Sequence, residues 1–133
     1  MSETEAASDN PWEDLVISLL SVNQYSLEQT YRVIDTLRDQ GLFNPSNLMN
    51  WNQLEIGQRM KLAGCDRGPF MTNLFAFRIV NLGDLIRSKG LADCTKIISF
   101  GNAGAVEELL LPVNGIGPKV IANFRLLREL PNK

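Results

Sequence analysis

The 133-residue chain has no histidine and only two cysteines, Cys65 and Cys94. Without histidine, Ser-His and Cys-His nucleophile pairs and imidazole-bound metals are excluded, which leaves carboxylates, lysines, tyrosines and cysteines as reactive groups. Two thiols suit reduced, buried cysteines better than a disulfide framework. They are too few for a closed zinc or iron–sulfur site from this chain, and no cofactor is expected. A dominant charge is lacking as well: 13 basic residues face 15 acidic ones, a formal charge of −2. Three of those acids, Glu3, Glu5 and Asp9, lie in the opening MSETEAASDN, so the remainder is close to neutral. A general polyanion binder shows a basic excess, so any nucleic-acid contact must come from a local patch or from backbone groups. No apolar run reaches membrane-spanning length. The opening segment lacks the apolar core of a signal peptide and reads as a disordered tail over residues 1–10. The expected location is intracellular, in cytoplasm, nucleoid or nucleus, with no membrane partner.

What is present has helical grammar. NPWEDLVISLLSV offers Asn10 as N-cap, Pro11 at the first helical position and Glu13 at the capping-box position, with Leu15, Leu19 and Val22 on one face. YSLEQTYRVIDTLRDQG repeats the pattern, with Ser26 as cap, Gln29 closing the box, a stripe of Tyr31, Ile34 and Leu37 beside Val33, and Gly41 as the stop. After a loop LFNPSN, NQLEIGQRMKLAG predicts a helix ending near Gly64, and GPFMTNLFAFRIVNLGDLIRSKG a long one from Pro69. LADCTKIISFG predicts a shorter helix, and another follows around Ala105 to Leu111. Nothing alternates with period two. The expectation is a compact all-α domain over residues 11–133, of six to eight short helices around one core.

The stretch ELLLPVNGIGPKVIANFRLL, residues 108–127, breaks an apolar run with Gly115 and Gly117. Glycines at alternate positions permit unusual dihedrals and let another surface approach the backbone. Pro118 fits the first position of the next helix, and the amides just after it face outward from a positive helix end that suits a phosphate. Ile116 between the glycines turns inward to fix the loop, while Val120, Phe124 and Leu127 recur at helical spacing toward the core.

LPVNGIGPK resembles the helix-hairpin-helix motif, and PWEDLVISLLSVNQYS resembles the first barrel helix of the endonuclease III class of DNA glycosylases. Gly64 before a long helix and LLPVNGIGPK with Lys119 complete an ordered set over about residues 11–130. The resemblance implies an endonuclease III-like fold, barrel half only, gripping double-stranded DNA through its backbone at Val113, Asn114, Gly115, Ile116, Gly117, Pro118 and Lys119. It also implies a monovalent cation on the carbonyls of Pro112, Val113 and Gly115. Asn23 and Gln24 fall where the family fills the gap left by an extruded base. Lys119 falls on the lysine that forms a Schiff base in bifunctional members, so a compact glycosylase or abasic-site lyase is the enzyme alternative. A protein-interaction module is the third reading.

Departures from the family are specific. Ile121 replaces a small alanine, and Ala122 comes one place late. GPF, residues 68–70, replaces the polar or basic opening of the long helix. The family aspartate lies nearly five turns beyond the lysine, whereas 14 residues follow Lys119 here; no counterpart and no iron–sulfur cysteines are expected in the sequence. A partner protein would then supply the missing half of the cleft, or Asp14 or Asp66 would substitute. Arg125 and Arg128 read first as a solvated helical face and second as a phosphate track. Trp12 and Trp51 read as core anchors before stacking platforms.

Overall fold

The computed structural model describes residues 10–22 and 27–129. Among the described residues all regular structure is helical, in nine helices: α1 (Pro11–Leu20), α2 (Leu27–Tyr31), α3 (Ile34–Asp39), α4 (Pro45–Asn50), α5 (Gln53–Leu62), α6 (Pro69–Lys89), α7 (Leu91–Phe100), α8 (Ala103–Leu110) and α9 (Pro118–Glu129). None is long and apolar enough to cross a membrane.

α1 starts as its sequence dictates. Asn10 is its N-cap, as expected: Oδ1 accepts from the Trp12 amide at 3.1 Å, and Pro11 takes the first position. All ten residues of α1 are buried, so it is a central helix surrounded by the others. The expected one-sided stripe is therefore too narrow, since Val16, Ile17 and Leu20 are as inaccessible as Leu15 and Leu19. Trp12 is a core anchor whose Nε1 donates to Thr95 Oγ1 at 3.0 Å.

Glu13 does not turn back to close a capping box. It accepts two bonds from the Arg38 guanidinium of α3, at 3.1 and 3.2 Å. Its neighbour Asp14 accepts from Arg128 of α9 at 3.0 Å. The two carboxylate side chains are only 7% and 8% exposed. Burial pushes both carboxyls above their ordinary range, and the arginine beside each pulls it back part of the way.

The second predicted helix is two. Arg32 and Val33 form a turn between α2 and α3, in which the Val33 amide reaches the Thr30 carbonyl at 3.1 Å. Consecutive β-branched Val33 and Ile34 weaken helix propensity there. The buried Thr30 hydroxyl is committed to Ser21 Oγ at 2.8 Å. Tyr31, expected in the apolar stripe, is 42% exposed. Ser26, its expected cap, lies outside the described residues.

LFNPSN is not wholly a loop, because Asn44 caps α4 by accepting from the Ser46 amide at 2.9 Å, with Pro45 next. The helix escapes a periodicity reading because Leu48 is its one buried residue. α4 lies directly on α6 at Gly83, where a Cβ would fall 2.1 Å from the Leu48 carbonyl oxygen. Arg87, one turn further along α6, donates to the Met49 carbonyl and pairs with Asp84. α8 begins at Ala103 rather than Ala105, capped by Asn102, whose Oδ1 accepts from the Ala105 amide at 2.9 Å.

α9 returns across α1, burying Val120, Ile121, Phe124 and Leu127. Buried Asn123 donates to the Ser21 carbonyl at 3.2 Å and ties α9 to the end of α1. Cys65 and Cys94 are buried, with no disulfide between them.

The α1–α9 ion pair yields a test with a defined sign. Arg128→Met leaves Asp14 charged and enclosed, which costs about 3 kcal/mol in urea unfolding at neutral pH, near the lower end for breaking a buried pair. Because the folded carboxyl is already raised and loses the group that lowers it, folding takes up more protons, and stability rises as pH falls through that raised range. Acidification recovers part of the deficit; a deficit that stays constant with pH would show that Asp14 is not its source.

Candidate nucleic-acid interface

The turn between α8 and α9 is set by two inward side chains and two short backbone bonds. The Val113 amide reaches the Leu110 carbonyl, and the Ile116 amide reaches the Val113 carbonyl, each at 3.0 Å. Val113 and Ile116 are 8% and 4% exposed. With those two inward, Leu111, Pro112, Asn114, Pro118 and Lys119 face solvent. A short turn thus joins α8 to α9, with Val113 and Ile116 buried beneath it.

The two glycines have different roles. Gly115 has φ +103°, a conformation that L side chains rarely adopt, and a Cβ there would lie 2.4 Å from Arg78 Cγ and 2.8 Å from Cδ. The surface that approaches Gly115 is thus the aliphatic stem of an α6 arginine. One turn further along α6, Asn81 Nδ2 donates to the Asn114 carbonyl at 3.1 Å. Gly117 has no positive φ and nothing within 4 Å of an added Cβ. It borders open space and opens α9, its carbonyl accepting from the Ile121 amide at 3.2 Å. The amides that follow at the start of α9 lie at the positive end of a twelve-residue helix.

Lys119 is exposed at the second position of α9. An amine nucleophile is activated by dehydration or by an adjacent cation, and an exposed position supplies no dehydration. The acids nominated as substitutes for a missing carboxylate are both engaged. Asp14 holds Arg128. Asp66 accepts from the Gly68 amide at 3.0 Å and lies 3.3 Å from Thr72 Oγ1, organising the entry to α6.

Arg128 turns inward to Asp14 and is only 27% exposed, so it belongs neither to a solvated face nor to a phosphate track. Arg125 stands at the surface beside a cleft of ≈ 220 Å³ lined also by Leu111, Pro118 and Ile121. Ile121 is 3% exposed while Ala122 is exposed, so the bulkier residue occupies the packed position and α9 rests mainly on α1 rather than α8. Trp51 lies under the Arg59 guanidinium, 4.1 Å from its ring centroid, and packs on the core edge. Asn23 and Gln24 lie outside the described residues.

Sequence reasoning missed Arg78 and Asn81. Both act on residues more than 30 positions away, and the only local trace is that each follows the half-buried face of α6. Among the described residues, no group of three or more Cys, Asp or Glu side chains is placed to hold a metal ion.

Comparison with protein-family models, curated proteins and solved structures finds no match to this chain.

The unequal glycines predict unequal stability effects. Gly115→Ala forces a side chain into positive φ and displaces the Arg78 stem, costing on the order of 2–4 kcal/mol in chemical unfolding. Gly117→Ala costs less than about 1 kcal/mol. Equal losses at both positions would contradict this assignment.

Proposed function

We propose that the chain is a DNA-binding domain related to base-excision DNA glycosylases, which grips the duplex backbone without reading sequence. The observation that carries this reading is the open backbone at Gly117, immediately before the N-terminus of α9 and beside exposed Lys119. Helix-end amides present donors to a phosphate oxygen, the helix dipole favours the negative charge, and the lysine adds a point charge. Contacts of this kind position a protein on DNA and carry no base information.

A monovalent cation fits the same loop in donor chemistry. The oxygens of Pro112, Val113 and Gly115 are neutral, hard backbone donors of the kind that bind such ions. The Val113 oxygen keeps a lone pair after accepting from Ile116. When bound, the ion would add positive charge near the phosphate.

The lyase alternative rests on the position of Lys119 alone. With Asp14 and Asp66 committed elsewhere, backbone binding explains the site better than base excision. Borohydride trapping on abasic duplex, with loss in Lys119→Ala, would raise the lyase reading above it.

Binding to duplex DNA is expected to be weak and tolerant of sequence, with a slope of log affinity against log salt of about −2 to −4. Gly117→Leu is the sharpest variant: it places bulk in the approach path with little effect on folding. It should weaken all duplexes alike in fluorescence anisotropy while the unfolding midpoint stays close to that of the parent. Unaltered affinity would place the DNA contact elsewhere.

A further inference from the structure

α5 and α6 pack side by side and leave a cleft of ≈ 220 Å³ between them at the surface. Leu54, Gly57 and Lys61 line it from α5, Pro69 and Asn73 from α6. The helices that form it carry exposed apolar side chains. Leu54, Leu62 and Phe70 stand 69%, 72% and 76% exposed, and Phe77 is exposed as well. Leu54 and Leu62 lie on one stripe of α5, and Phe70 and Phe77 lie one turn to either side of Asn73 on α6. Single apolar residues on a surface need no explanation. Here, four of the eight large hydrophobics exposed among the described residues fall on the two helices of one cleft, and a clustered patch of that kind marks a contact surface.

Packing within the chain does not account for the floor of the cleft. Gly57 lies inside α5, where glycine is a poor helix former, and a Cβ there would meet the Ala76 Cβ at 3.7 Å, an ordinary contact. Alanine would therefore fit at this position without moving α6. The missing side chain leaves the floor bare and lets a group from outside come close to the α5 backbone. Lys61 is the one charged side chain in the lining, and it pairs with no carboxylate among the described residues.

We infer that this cleft docks an amphipathic helix of a partner protein, whose apolar side chains enter over Gly57 and whose flank places a carboxylate against Lys61. The inference goes beyond the DNA-binding reading and uses none of the residues assigned to the turn between α8 and α9. The stripe from Phe70 to Phe77 runs about 10 Å along α6, which matches apolar side chains at i, i+3 or i+4 and i+7 of a docked helix. A lysine with no acid beside it selects an acidic helix over a basic one. A lipid surface also accepts exposed leucine and phenylalanine beside a lysine. A recess between two helices, however, receives inserted side chains, which a flat lipid interface does not supply.

The test pans a displayed library of random peptides, each about four helical turns long, on the folded chain. One enriched peptide is then measured by fluorescence anisotropy and circular dichroism against the parent, Leu54→Ser, Phe70→Ser and Lys61→Glu. All three positions are exposed, so the variants should unfold close to the parent temperature. Enriched peptides should carry the i, i+3 or i+4, i+7 apolar pattern with an acidic excess, and should become helical on binding. Each variant should weaken binding by about tenfold, the two serines through lost anchors and the glutamate through like-charge repulsion. A library that yields no enriched peptide, or peptides that bind all three variants as tightly as the parent, would overturn the inference. Binding of mixed phosphatidylcholine–phosphatidylserine vesicles that Leu54→Ser and Phe70→Ser abolish, with no peptide enriched, would assign the face to a membrane instead and overturn it as well.

Discussion

Two adjacent carboxylates enclosed at the first turn of α1 govern the architecture. Glu13 and Asp14 are carried inward because α1 is surrounded on all sides, and each charge must then be met by a cation from elsewhere in the chain. Arg38 arrives from α3 and Arg128 from α9, two elements far apart in sequence. The acids also sit near the α1 N-terminus, where the helix dipole favours negative charge. Both arginines bring their helices against the same turn, so the ion pairs fix where the last helix lies as well as satisfying the core.

The site inherits its position from that constraint. α9 is tied to α1 at one end by Arg128 and Asp14, and closer to its start by Asn123 and the Ser21 carbonyl. Its first turn, with Lys119, consequently projects where Val113 and Ile116 can plug the hairpin into the core and Gly117 is left open. α6 supplies the opposite wall through Arg78 and Asn81. The turn between α8 and α9 is therefore braced by α6 as well as by its own two helices; under the proposed function that bracing would hold its backbone donors in place before a ligand arrives.

Much of this was legible in the sequence because it depends on local chemistry. Asn10 with Pro11, and the glycines at 115 and 117, announce a cap and a turn through residues that act on their immediate neighbours. What escaped depends on distance or on brevity. The break at Arg32–Val33 reflects a buried Thr30 hydroxyl drawn to Ser21, and α4 is too short to show a period. Glu13 carries a capping-box signature yet serves a long-range ion pair, since an enclosed carboxylate gains more from a guanidinium than from one amide. The two glycines look equivalent in sequence; the positive φ of Gly115 and the path of Arg78 separate them. Asn23 and Gln24 fall outside the described residues, so the resemblance alone speaks for them.

The central claim, that the backbone at the start of α9 is the DNA-contacting surface, is tested most directly by titrating an isotopically labelled chain with an unmodified duplex and following every backbone amide by NMR. The account predicts that the largest, salt-sensitive shifts fall on Gly115, Gly117, Lys119 and Val120. Shifts concentrated instead on the exposed Phe70 and Phe77 face of α6, or around exposed Phe100, would contradict it.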